Sequence, residues 1–215
     1  MIKLQNIYKS YMTSFGRKVI FKDLSFSIPT NDSLGIIGYN GSGKSTLLRM
    51  LSGVESPDSG VIQRDTNFSW PIGFSGGLNG SLTGAENAKF VARIYGKDIK
   101  SVVDQTRDFA EIGDYFYLPV KTYSSGMKAR LAFGLSMAID FDTYLIDEVV
   151  AVGDKGFQKK AQDTFNDKVN GKTVIIVSHS FSILESFASQ FAILHNNQFE
   201  LFDNINSAKQ RYMSL

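Results

Sequence analysis

Cysteine is absent from the 215 residues. That excludes a disulfide or thiolate–metal framework and permits a reducing compartment. Long apolar runs are missing too: none approaches the ~20 residues that a spanning helix needs. The opening MIKLQNIYKS lacks the charged-then-apolar form of a secretion signal. The expectation is a chain on the cytoplasmic side, reaching a membrane only through a partner. Charge of one sign is scarce: 23 Lys+Arg face 21 Asp+Glu, a net charge of +2 with no basic block. This argues against nucleic acid as the main partner. There is no internal repeat and no low-complexity linker. What remains, 43% hydrophobic and 20% charged residues, is ordinary for a globular protein. The length suits one large domain, or one core with an inserted subdomain.

Short alternating runs open the chain: Ile2, Leu4 and Ile7, then Leu24, Phe26 and Ile28. They read as half-buried antiparallel strands. SLGIIG (33–38) predicts a short strand, KSTLLRMLSG (44–53) a helix closed by Gly53, and PDSG (57–60) a turn. From about Trp70 to Lys121 the pattern turns helical, with AENAKFVARIYG and KSVVDQTRDFAEIG each ending in glycine. Strands resume at 143–147, 173–179, 191–195 and 199–202, separated by helices near 156–169 and 181–189. The runs 143–147 and 173–179 are apolar throughout, as in a parallel sheet covered on both faces. The expected fold is α/β: a mixed-sheet core with an antiparallel edge and a helical insert. Residues 1–71 and 126–215 form the core, and about 72–125 form the insert.

Gly38-Tyr39-Asn40-Gly41-Ser42-Gly43-Lys44-Ser45 fits G-x-x-x-x-G-K-[ST] without a mismatch, between a strand and a helix. The glycines let backbone N–H groups close around a phosphate. Lys44 is expected to reach the β- and γ-phosphates, and the Ser45 hydroxyl to ligate Mg²⁺. With Thr46, these residues make the expected ATP-binding loop. YLIDEVV places Asp147 and Glu148 at the carboxyl end of a buried strand, where ligands bind in open α/β sheets. Adjacent carboxylates on a strand point to opposite sides. Asp147 is the expected Mg²⁺ partner, and Glu148 can polarise an attacking water as general base.

Only two histidines occur. His195, beside Asn-Asn, reads as a surface-turn residue. His179 ends the run beside the Asp147 strand, where a neutral imidazole could hold the γ-phosphate or the water. Tyr11, ahead of TSFGRK, could stack on adenine. Nine tyrosines and seventeen phenylalanines give a core or surface role an equal claim. TYSSGMKARLAFG (122–134) opens a second helix with serines and a glycine, a form that suits an anion. Ser124 could equally cap a core helix, and Met127, Leu131, Leu135 and Ile139 form an apolar face at helical spacing.

In this order and over the whole chain, GYNGSGKST, YSSGM, TYLIDE, AVGD and VSHS resemble the nucleotide-binding subunit of an ABC transporter. The resemblance implies a head-to-tail homodimer in which each ATP lies between the phosphate loop of one copy and the signature helix of the other. YSSGM is similar to the family signature LSGGQ, with Tyr123 for Leu, Ser125 for Gly and Met127 for Gln. Ser124, Ser125, Gly126 and Met127 would then act in trans. The resemblance further implies an adenine-stacking role for Tyr11, catalytic roles for Glu148 and His179, and a dimer contact at Asp154. Ala151-Val152-Gly153 departs from the usual Ser-Ala-Leu before that aspartate.

One family element is missing, a glutamine between core and insert: no Gln lies between Trp70 and Asn87, and Asn79 is the nearest amide. SWPIGFSGGLNGSLTGAENAKFVARIYG, KTYSSGMKARLAFGLSMA and DEVVAVGD resemble the ATPases of capsular polysaccharide exporters in Gram-negative bacteria. That implies a membrane permease, export accessory proteins and a peripheral place on the inner membrane's cytoplasmic face. Trp70 and Phe74 are candidate anchors for the permease. Close relatives serve O-antigen and teichoic acid exporters, some with an added carbohydrate-binding domain for which a chain ending at Leu215 has no room. A soluble ABC-type ATPase acting on DNA or ribosomes is the alternative from another class, disfavoured by a single short cassette of near-neutral charge. A P-loop kinase would not need YSSGM.

Overall fold

A computed structural model describes residues 1–29, 32–72, 77–147 and 155–215. In chain order the elements are β1 (Ile2–Thr13), β2 (Gly16–Ile28), β3 (Leu34–Ile37), α1 (Lys44–Leu51) and β4 (Ser59–Arg64). Then come α2 (Gly84–Ile94), α3 (Ile99–Ala110), two 3-10 turns (Gly113–Tyr117, Val120–Thr122) and α4 (Ser125–Ala138). The chain continues through β5 (Thr143–Asp147), α5 (Lys155–Val169), β6 (Thr173–Val177), α6 (Phe181–Phe187), β7 (Gln190–His195), β8 (Gln198–Phe202) and α7 (Ile205–Met213).

Two compact units result. The first holds residues 1–71, 142–149 and 171–215, and the second holds 72–141 and 150–170. The first unit contains two sheets. β2-β1-β4 is antiparallel, while β5-β6-β3-β7-β8 is parallel except for its last strand. The expected antiparallel edge is therefore β8, and the N-terminal strands form a sheet of their own. β3 and β6 are buried at every position, as continuous apolar runs require. The two sheets share one apolar cluster through α1, whose Leu47, Leu48, Met50 and Leu51 are wholly buried. β3, β5 and β6 run parallel, so their carboxyl ends gather at one edge of the sheet. Gly38, Asp147 and His179 follow or close those strands.

In the second unit α2 starts with a capping box. The Thr83 hydroxyl accepts from the Glu86 N–H at 3.1 Å, and the Glu86 carboxylate accepts from the Thr83 N–H at 2.8 Å. Asp98 caps α3 by accepting from the Ser101 N–H. Helix α4 clusters with these helices, although its residues from 126 on read from sequence as part of the core. The apolar face expected for α4 is present, with Leu131, Leu135 and Ile139 buried, and burial extends beyond it. From Leu131 to Met137 every residue is buried, as for a helix packed on all sides. α3 and α4 cross at Gly134, where a Cβ would stand 3.1 Å from the Thr106 carbonyl and 3.5 Å from Phe109. Only glycine lets the two backbones come this close.

Gly134→Val should therefore push α3 from α4. Overpacking of this kind costs roughly 1–3 kcal/mol, more than the ~0.5 kcal/mol of helix propensity that a residue other than glycine regains. Thermal unfolding should show a lower melting temperature for Gly134→Val, and an unchanged one would refute the tight crossing.

Candidate functional site

The phosphate loop is shaped by two close approaches. A Cβ on Gly38 would lie 2.4 Å from the Leu194 carbonyl and 2.8 Å from Ser42 Oγ, so the turn after β3 admits no side chain. Gly43 has φ +107°, and a Cβ there would meet Ile20 at 2.5 Å. Gly43 is also the N-cap of α1 and offers no side-chain acceptor. No side chain caps the first turn of α1, and the positive end of the helix dipole stands at the loop, an arrangement that suits an anion. The Lys44 ammonium is buried, donating to the Gly38 carbonyl at 2.6 Å and the Tyr39 carbonyl at 3.0 Å. Ser42 Oγ is buried without a protein partner.

A cleft of about 600 Å³ opens above this loop, within the range of small-molecule sites. Asn40, Gly41, Gly43, Lys44, Ser45 and Thr46 form its floor, and Tyr11, Asp147 and His179 stand at its walls. The first unit therefore brings together the loop, the strand-end carboxylate, the histidine and the aromatic ring. Glu148 and Asp154 lie outside the described residues, as does Phe74; Trp70 is half-buried. His195 borders a second cavity of about 270 Å³ behind the loop, together with Tyr39 and Ser42.

Mg²⁺ has a fitting donor set. Among the described residues no group of three or more His, Cys, Asp or Glu could cage a metal. Ser45 and Asp147 face the same cleft. One hydroxyl and one carboxylate suit Mg²⁺, which keeps waters and takes its other ligands from substrate phosphates.

Tyr11 is fixed from behind. Its hydroxyl donates to Glu55 Oε1 at 2.5 Å and accepts from Arg49 Nη2 at 3.2 Å. Arg49 Nε and the Lys9 ammonium reach the same carboxylate at 3.0 and 2.9 Å. Lys9 also lies over the Tyr11 ring, 5.3 Å from its centroid. Burial pushes the Glu55 carboxyl up, but the Tyr11 hydroxyl and the two cations outweigh it and hold the group at about 2 against an ordinary 4.5. These supports, and Lys18 in the cleft wall, are absent from the sequence reading. Lys18 was within reach of a register argument, because it pairs with Tyr11 across the hairpin and shares its face.

Ser124 to Met127 belong to the second unit. Ser124 is the N-cap of α4, its hydroxyl accepting from the Met127 N–H at 3.2 Å. Ser124 and Ser125 are exposed, and a Cβ on Gly126 would meet only Ser124 Oγ, at 3.9 Å. Tyr123 is buried, and its hydroxyl donates to the Tyr115 carbonyl at 2.6 Å and accepts from the Gly84 N–H at 3.2 Å. Asn79 is engaged in its own turn, its side-chain oxygen accepting from the Ser81 N–H at 2.9 Å. No helix among the described residues is long and apolar enough to cross a membrane.

The family model described as ABC transporter matches residues 21–151. The polysialic acid transport ATP-binding protein KpsT of Escherichia coli is 48% identical over 99% of this chain and 96% of its own. The capsule polysaccharide export ATP-binding protein CtrD of Neisseria meningitidis is 45% identical over the full length of both. Relatives named for teichoic acids export are less similar, at 36–41% identity. Among solved structures, the dimeric ATP-binding cassette MJ0796 bound to ADP and Pi aligns with TM-score 0.71 over 93% of this chain and 98% of its own. It shares 21% identity, so it speaks for the fold alone.

The low Glu55 value gives a signed expectation for acid. A carboxyl held lower in the folded chain adds stability that is full above the unfolded value of 4.5 and lost as pH falls through about 2. Denaturant unfolding followed from about pH 5 to pH 2 should lose stability steeply in the native chain and less steeply in Glu55→Gln. Equal slopes would show that Glu55 carries no such linkage.

Proposed function

The chain belongs to the ABC transporter family of ATP-binding cassettes, and on that premise we propose that it is the energy-coupling ATPase of a capsular polysaccharide exporter. The observation that carries the ATPase half is the single cleft shared by Lys44, Ser45, Asp147 and His179. The relatives named for capsule and polysialic acid support the polysaccharide half. The whole chain acts as one ATPase domain, with the helices of about 72–125 as the insert.

The loop N–H groups and the Lys44 ammonium bind the β- and γ-phosphates, and the Tyr11 ring takes the adenine. Ser45 and Asp147 hold Mg²⁺, which neutralises phosphate charge and orients the γ-phosphate when bound. Glu148 accepts a proton from the attacking water, and His179 holds the water or the γ-phosphate in line. In a head-to-tail homodimer Ser124, Ser125, Gly126 and Met127 close the site of the opposite copy, and Asp154 contacts the dimer partner. The dimer sits peripherally on the cytoplasmic face of the inner membrane. It binds a permease near residues 70–87 and works with polysaccharide-export accessory proteins.

Lys44→Ala should lose ATP binding and hydrolysis together. Glu148→Gln should keep binding and lower turnover by about 10²–10⁴-fold, which single-turnover assays on the purified chain would measure. Wild-type turnover in Glu148→Gln would remove it as the base. A cell whose only copy carries Lys44→Ala should lack surface polysaccharide; a normal surface layer there would overturn the export reading and leave the ATPase reading standing.

The trans arrangement has its own test. A mixed dimer of Lys44→Ala with Ser124→Arg should keep one intact composite site, whereas each mutant homodimer damages both. Nucleotide occupancy near one per mixed dimer is expected, and equal loss at both sites would mean that Ser124 only caps its helix.

A further inference from the structure

Tyr39, the first variable residue of the phosphate loop, points its ring outward and is 45% exposed. Nothing in the ATP-binding motif requires an aromatic there. The ring stacks on Tyr212 of α7 with centroids 5.2 Å apart and planes inclined by 27°. Tyr212 in turn meets the edge of Phe181 at 5.8 Å. Phe181 is the first residue of α6, two positions after His179. One side chain of the C-terminal helix thus touches both segments that carry cleft groups: the loop bearing Lys44 and the turn bearing His179.

The contact bears on the chemistry through the backbone. The Tyr39 carbonyl accepts from the Lys44 ammonium at 3.0 Å and from the Ser42 N–H at 3.2 Å. A rotation of Tyr39 would therefore turn the acceptor that aims the ammonium. α7 is itself fastened, because Arg211 forms a bidentate pair with Glu200 of β8 at 2.8 Å for each bond. The adjacent Tyr212 is held on a strand rather than on a free tail.

We propose that Tyr212 is a positioning residue for ATP hydrolysis, clamping the phosphate loop through Tyr39 and the His179 turn through Phe181. The inference rests on ATP occupying the cleft and adds a role for a residue outside every sequence motif. Its two arms have separable consequences. Tyr39 orders the binding loop, so its loss acts on nucleotide affinity. Phe181 orders the histidine turn, so its loss acts on turnover.

Steady-state ATPase kinetics on the full chain test this, with melting curves as the folding check. Tyr39→Ala should raise KM by about 3–10-fold, the worth of one aromatic pair, with kcat little changed. Phe181→Ala should lower kcat with KM little changed. Tyr212→Ala should do both, Tyr212→Phe should restore both, and adding Tyr39→Ala to Tyr212→Ala should raise KM no further. If Tyr212→Ala does not fold, Tyr212→Leu keeps the bulk and removes the stacking, and the same changes are expected of it. Wild-type constants in a folded ring-less variant, additive KM effects, or failure of Tyr212→Phe to rescue would overturn the clamp. Retained ATP affinity in Lys44→Ala would instead overturn the cleft reading.

Discussion

Helix α1 has almost no free face, and the binding chemistry depends on that. Leu47, Leu48, Met50 and Leu51 are wholly buried, Lys44 and Thr46 are nearly so, Arg49 is half-buried, and Ser45 is exposed. A helix packed on every side cannot rock on the sheet. Its N-terminus is therefore fixed against the carboxyl edge of β3 before any ligand arrives. The most open of them, Ser45, lines the cleft. Close packing at Gly38 and Gly43 extends this rigidity into the loop, since neither position has room for a Cβ. Preorganisation of this kind removes the ordering cost that a flexible loop would charge against binding.

The wall of the cleft is held by polar contacts instead. Lys9 and Arg49 converge on Glu55, and Glu55 holds the Tyr11 hydroxyl. Desolvation offsets part of the attraction between such partly buried charges, so stability is not their whole contribution. Their value here is geometric. A tyrosine ring on an apolar surface could slide, whereas a ring whose hydroxyl meets a charged network has one place. Apolar packing fixes the floor and a charge network fixes the wall.

The sequence made the floor easy to read and the wall hard. Gly38 to Thr46 is contiguous, so a strand, a motif and a helix start locate the loop without tertiary knowledge. Tyr11 could be nominated, but Lys9, Arg49 and Glu55 come from β1, α1 and the loop after it, and only folding brings them together. The same logic explains the missed elements. β4 is exposed at five of its six positions, so it carries no alternation, and only the turn at 57–60 is legible there. α7 buries only Ala208 and has no apolar stripe to announce it. Helix α4 differs again: its apolar face at Leu131, Leu135 and Ile139 is legible, whereas the burial of every residue from 131 to 137 comes from packing that spacing does not show. Glu148 and Asp154 fall outside the described residues, so their roles rest on motif position.

The two helix starts to which phosphate is assigned in the proposed function are built differently, and the difference suits those two duties. At α1 the N-cap is a glycine with no side-chain acceptor, so no side chain caps the first turn, and a buried ammonium stands beside it. At α4 the Ser124 hydroxyl already takes the Met127 N–H. That leaves the N–H groups of Ser125 and Gly126, on an exposed rim with no acidic residue in the first turn. Each N–H satisfied by a cap is one fewer for a phosphate, and exposure weakens what remains. The first start suits the proposed hold on a nucleotide through a cycle. The second can meet a γ-phosphate and release it once the phosphate is gone, while its cap keeps the helix intact in either condition. In the dimer proposed above, a site that opens after each hydrolysis would draw on that inequality between its two cradles.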